Sequence, residues 1–179
     1  MQINQLTFDR NGLLEFLPQH GICAELGVDK GDYSKQILEK NKPNKLFLID
    51  SWENMLTSHS IDVAHSKKFY SVKKMFEGNA NVSIIKKDTN QSYKDFDEEY
   101  FDWIYIDADH HYEPCLSDLN KWSKKVKPNG YICGHDFLSK PKKGFGVNQA
   151  VDKFLQDTGY KFIGVTNEDN FKSFVIQKT

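Results

Sequence analysis

Asp107, Asp109, His110 and His111 stand together directly after the apolar run Phe101–Ile106, and Tyr112 and Glu113 follow them. A strand needs none of these side chains in order to pack. Carboxylates and imidazoles at such density suit two kinds of chemistry, holding a cation or moving a proton near neutral pH. Asp107 and His110 are the candidates for either task. His111 reads equally as a solvated start to the next helix and Asp109 as its cap, with Tyr112 and Glu113 in the first turn, where the helix dipole favours an acid.

A second group of candidates lies upstream. Cys23-Ala-Glu25-Leu-Gly27-Val-Asp-Lys-Gly31 carries two glycines where an apolar strand gives way to a helix, so the backbone can turn tightly and approach a ligand. The dinucleotide fingerprint is not met, because Glu25 occupies its first glycine position and would face a pyrophosphate with a carboxylate. Glu25 suits a cationic amine instead. Asp50 ends the next apolar run, where nucleoside-binding α/β folds hydrogen-bond ribose hydroxyls. Asp88 and Thr89, after a third such run, could meet an adenine edge. The three places together describe a pocket for adenosine with an amino-acid tail.

These residues need elements to position them. Segments rich in β-branched and aromatic residues fall at 22–26, 45–49, 82–86, 101–106, 131–134, 161–165 and 171–177, which predicts seven strands. Helical spacing appears between them at 33–40, 64–77, 112–125 and 147–158, more weakly at 93–98, and before the first strand at 9–19 with Asp9 as cap. Such alternation predicts parallel strands with right-handed crossovers, a doubly wound α/β sheet with helices on both faces. Only residues 166–170 separate the last two strands. That is room for a hairpin turn, so the seventh strand must run antiparallel to the sixth.

Composition narrows the classes. With 179 residues, 39% hydrophobic and 13% aromatic, the chain can build a real core, and residues 1–179 are expected to form a single domain. Acidic and basic residues balance at 25 and 24, which disfavours a nucleic-acid partner. No run approaches the ~20 apolar residues of a membrane span. Cys23, Cys115 and Cys133 are widely spaced and form no metal-binding pair, so reduced thiols and a cytoplasmic location are expected.

Taken in order, Glu25-Leu-Gly-Val-x-x-Gly31, Leu48-Ile-Asp50-Ser-Trp52, Ile106-Asp-Ala-Asp-His110 with Tyr112-Glu113, Lys127-Pro-Asn-Gly130 and Gly134-His-Asp136 resemble the motifs of class I S-adenosylmethionine-dependent methyltransferases. More narrowly, they are similar to a small group with Asp-x-Asp-His-x-Tyr-Glu after strand four and Gly-His-Asp after strand five. The resemblance implies a Rossmann-like sheet in the order 3-2-1-4-5-7-6. It implies that Glu25, Gly27 and Gly31 surround the methionine part, that Asp50 with Ser51 and Trp52 holds the ribose, that Asp88 and Thr89 border adenine, and that Asp107 also touches the cofactor.

Methyl transfer is an in-line displacement in which the protein aligns the acceptor and removes its proton. His110 is expected as the base, with Asp107 organising the site. Related metal-dependent O-methyltransferases hold Mg²⁺ through acids after strands four and five, to which Asp107 and Asp136 correspond. Phe137 departs from that pattern where an amide would stand. Asp107, Asp136 and His135 could instead form a mixed site better suited to a transition metal. The acceptor is expected to be a small-molecule hydroxyl, on a sugar or natural product, met by a lid at 52–65 and by the lysine-bearing loop 137–146 with Lys140, Lys142 and Lys143. A homodimer is left open. Two rivals are a metal-dependent phosphoesterase, from the reading of Asp109-His110-His111 as an Asp-His-His signature, and a non-catalytic S-adenosylmethionine-binding protein.

Overall fold

The computed structural model describes residues 3–53, 59–140 and 142–179, the side chains of 59–65 excepted. Helix α1 (Arg10–Phe16) precedes strand β1 (Ile22–Leu26), and Asp9 caps it by accepting from Gly12 N at 2.8 Å. There follow α2 (Asp32–Gln36), β2 (Lys45–Asp50), α3 (His59–Met75), β3 (Val82–Lys86), the one-turn α4 (Thr89–Ser92), β4 (Phe101–Ile106), α5 (Tyr112–Trp122), β5 (Val126–Leu138), α6 (Val147–Thr158), β6 (Lys161–Val165) and β7 (Phe171–Gln177). The strands form one sheet in the order β3-β2-β1-β4-β5-β7-β6. The first five pair in parallel, and β7 runs antiparallel to both β5 and β6. The expected architecture and order are therefore observed.

The central strands are buried on both sides, and their alternation divides the core in two. Ile104 and Ile106 of β4 pack with Leu119 and Trp122 of α5 and Phe154 of α6. Trp103 and Tyr105 of the same strand pack on the other face with Leu13 and Leu14 of α1, Val72 of α3 and Phe76 just beyond it. A one-residue slip of β4 would exchange these two sets, so its register is strongly specified.

Several boundaries differ from the sequence expectation. Helix α2 stops at Gln36 and relaxes into a π-turn over Ile37–Asn41, whose Asn41 amide donates to Leu14 O at 2.9 Å and ties the turn to α1. The helix expected at 93–98 begins earlier, because Asp88 accepts from Asn90 N at 2.7 Å and starts α4 there. Strand β5, expected at 131–134, runs to Leu138, since β7 continues to pair with it past the ends of its parallel neighbours. The lid expected at 52–65 is shortened by α3, which is already helical at His59; residues 54–58 lie outside the described ones. No helix among the described residues is long and apolar enough to cross a membrane, and the three cysteines are free and buried.

Candidate active site

The carboxyl ends of β1, β2 and β4 are tied into one platform. Gly27 N donates to Ile49 O at 2.9 Å, and Asp107 N donates to Leu26 O at 2.7 Å. Gly27 and Gly31 have φ of +88° and +81°, the left-handed region where glycine alone is unstrained. A Cβ on Gly27 would lie 2.2 Å from the Asp107 carbonyl oxygen, so the glycine turn and the end of β4 touch backbone to backbone.

Asp50 braces this turn. Its Oδ2 accepts from Val28 N at 2.8 Å and Asp29 N at 2.9 Å, and its Oδ1 accepts from Trp52 N at 2.7 Å. Oδ2 is thereby filled, while Oδ1 keeps capacity for a further donor such as a hydroxyl. Ser51 accepts from Glu53 N at 3.2 Å. Trp52 is buried, packs tilted against Phe69 and donates from Nε1 to Asp29 O at 2.9 Å, so its ring holds the loop in place. On the next strand end Asp88 is the cap of α4, and Thr89 is buried beside it. Asp118 of α5 lies in the same region. Burial pushes its carboxyl up to about 7, and its Oδ1 is buried without a partner among the described residues.

Glu25 is fully buried and receives a hydrogen bond from Ser34 Oγ. Burial raises its carboxyl to about 8, against the lowering by Ser34. The folded state therefore keeps a proton that the unfolded chain releases near its ordinary value of 4.5, and this contribution to stability declines as pH rises from about 4.5 through about 8. Glu25→Gln mimics the protonated form. Thermal melts should show the wild type matching the variant at about pH 5 and falling below it by about pH 9; parallel curves would contradict the shift.

The histidine and acid cluster is assembled by a bulge. Between Gly134 and Phe137 the β5–β7 register slips, so His135 and Asp136 both stand opposite Ser173. Asp136 takes φ +59° to make this turn. A bulge breaks the alternation of side chains, and here it brings two successive residues to Asp107. His135 Nδ1 lies 3.2 Å from Asp136 Oδ1 and 3.6 Å from Asp107 Oδ1. His110 Nδ1 faces Asp136 Oδ2 at 3.9 Å, and its ring stacks on Phe145 at 4.0 Å between centroids. Burial opposes the charge of Asp136, but the hydrogen bond and charge of His135, with His110 and Arg10, hold its carboxyl below the usual range. Asp107 moves the other way, because its burial outweighs the pull of Arg10 and His135.

Other expected residues have separate tasks. Asp109 does not cap α5 directly; its Oδ1 accepts from His111 N at 2.8 Å and meets His111 Nδ1 at 2.6 Å, ahead of the helix. His111 is exposed, and Glu113 sits in the first turn of α5. Lys142 lies over Phe145 and Phe171 at 4.6 and 5.3 Å. Phe137 is in the core against Phe162 and offers the site no ligand.

Arg10, Phe145 and Asp118 were not singled out by their motifs. Arg10 had one signal: it is the only arginine in the chain. From the first turn of α1 its Nη2 donates to Asp107 Oδ2 at 2.6 Å, with its guanidinium 3.8 Å from the Tyr33 ring centroid. This bears on a metal. Ligand atoms of Asp107, His135 and Asp136 lie within 4.8 Å of one another. Yet a hard cation wants six or more oxygens or waters, and one Asp107 oxygen already neutralises Arg10. These residues do not fit Mg²⁺.

A cleft of about 690 Å³ opens beside the cluster, lined by His111, Tyr112, Phe145, Gln149, Lys153 and Gln156 among others. The sheet order, the glycine turn and the acid at the end of β2 define the fold class of the class I S-adenosylmethionine-dependent methyltransferases. Residues 24–137 match the family model described as a methyltransferase domain, and the chain belongs to that family.

Solved structures agree on the fold. The trans-methyltransferase CalH, in complex with SAH, superposes with a TM-score of 0.67 at 16% identity, over 94% of this chain and 55% of that one. A SAM-dependent methyltransferase from Aquifex aeolicus gives 0.66 at 20% identity, over 96% and 90%. An O-methyltransferase family protein from Burkholderia thailandensis gives 0.67 at 11% identity, over 94% and 55%. The chain thus spans about half the length of two of these relatives. Structures named as an N1-methyltransferase and a carbon methyltransferase share the fold too, so the fold leaves the acceptor atom open. The search of curated proteins gives no match. Membership of the methyltransferase family removes the phosphoesterase reading. Asp109 and His111 are bound to each other instead of converging with His110 on one point.

Proposed function

We propose that the protein methylates a hydroxyl of a small molecule, a sugar or a natural product, with His110 as general base and no divalent cation in the step. The observation that carries this is the placement of His110, whose Nδ1 faces Asp136 while its ring is clamped by Phe145. An imidazole whose Nδ1 edge faces a carboxylate, here across an ion-pair distance of 3.9 Å and not a hydrogen bond, has its Nε2 left to accept a proton. The acceptor oxygen attacks the sulfonium methyl carbon, the carbon–sulfur bond breaks to give the thioether, and the acceptor proton passes to His110. Asp107 would meet the cofactor's ammonium, Glu25 the methionine end, Asp50 the ribose and Thr89 the adenine.

The cleft beside Phe145 supports a small acceptor, since about 690 Å³ is within the range of small-molecule sites. Tyr112 and Phe145 supply flat apolar faces, and Gln149, Gln156 and Lys153 supply polar contacts for a hydroxylated ligand. The test is S-adenosylhomocysteine release from S-adenosylmethionine across a panel of phenols and hexose derivatives, with and without a chelator. Turnover unchanged by chelation is expected. Loss on chelation and recovery with Mn²⁺ or Zn²⁺ would return the His135 and Asp136 cluster to a metal role. Binding of S-adenosylmethionine with no turnover on any acceptor would favour a non-catalytic binding protein.

A further inference from the structure

Arg10 is the one arginine of this chain, against 23 lysines. The single arginine reaches from α1 to the end of β4, over Tyr33 at 3.8 Å and Tyr105 at 4.9 Å, with Nη2 on Asp107 Oδ2. Lysine cannot replace it in that setting, because only a planar guanidinium both stacks on rings and offers a fork of donors. The fork is half used. Nη2 has its carboxylate oxygen, while Nε on the same edge is buried without a partner among the described residues.

Resting on the methyltransferase reading of the site, we propose that Arg10 binds the α-carboxylate of the S-adenosylmethionine tail, and that it exchanges Asp107 for that carboxylate when the tail enters. The methionine tail is a zwitterion. The glycine turn brings its ammonium toward Asp107, since the buried Glu25 keeps its proton below about pH 8, and leaves its carboxylate in need of a cation. Arg10 is the cation whose charge acts on both acids. Within the Arg10–Asp107 pair each partner carries the charge of one end of the tail. The exchange gives Arg10 a bidentate carboxylate on its Nε and Nη2 edge and gives Asp107 the ammonium, with no change in the net charge of the pair. α1 lies outside the matched residues 24–137, so this contact is supplied by a part of the chain that the family motifs do not contain.

The test is calorimetry of wild type and R10A with S-adenosylmethionine and with its decarboxylated form, which keeps the ammonium and sulfonium but lacks the carboxylate. Wild type should prefer S-adenosylmethionine, and R10A should weaken it by about ten- to hundredfold, as the loss of a charge-assisted pair predicts, while the decarboxylated compound, whose ammonium no longer competes with Arg10 for Asp107, is not weakened. R10K should recover only part of the difference. Equal losses for both compounds, or no loss for either, would overturn the assignment. If R10A does not fold, R10K is read with the same two ligands. Failure of the wild type to bind either compound is a different outcome, and it removes the methyltransferase reading itself.

Discussion

Replacement of His110 by alanine should lower turnover by about 10²–10⁴-fold while S-adenosylmethionine binds as before. The separation follows from position. His110 lies beyond the end of β4, stacked on Phe145 and facing Asp136, whereas the glycine turn, Asp50 and Arg10 are held by contacts that do not involve its ring. The truncation leaves a slot with Phe145 on one face and the ionised Asp136 at its edge. Added imidazole should enter that slot and restore part of the activity. Rescue distinguishes a missing base from a disturbed fold, since a collapsed site has no place for the imidazole. Full activity in H110A, or loss of cofactor binding in step with activity, would remove His110 as the base and leave His135, 3.2 Å from Asp136, as the remaining imidazole of the cluster.

What could be read from the sequence follows the range of the forces involved. Strand order and direction were legible because each central strand is buried on both sides and because residues 166–170 are too few for a crossover. The glycine turn was legible because φ near +88° and +81° at Gly27 and Gly31 leaves a local signature. The bulge at His135 and Asp136 was not, since it arises from pairing between β5 and β7 across distant sequence. With it, the Gly-His-Asp motif moves from a loop into the interior of a strand. Arg10 was missed for a related reason: its partner Asp107 is 97 residues away, and nothing in the sequence around Arg10 indicates a ligand. Only its being the one arginine could have drawn notice.

Gly27→Ala should cost about 2–4 kcal/mol and abolish S-adenosylmethionine binding. Two effects act at once there, the left-handed φ of +88° and a Cβ placed 2.2 Å from the carbonyl oxygen of Asp107. The first is general and amounts to roughly 1–2 kcal/mol for a residue with a side chain. The second is local, because the clash is with backbone and neither strand end can yield alone: Gly27 N is bonded to Ile49 and Asp107 N to Leu26. Gly78 separates the two. Its φ is +76°, yet a Cβ there meets nothing within 4 Å. Gly78→Ala should therefore lose only the conformational part, about 1 kcal/mol, and bind cofactor normally. Denaturant unfolding of both variants gives the comparison. If they lose stability equally, the contact between the glycine turn and the end of β4 does not constrain the site, and the coupling of Asp107 to the cofactor turn has to be sought through side chains alone.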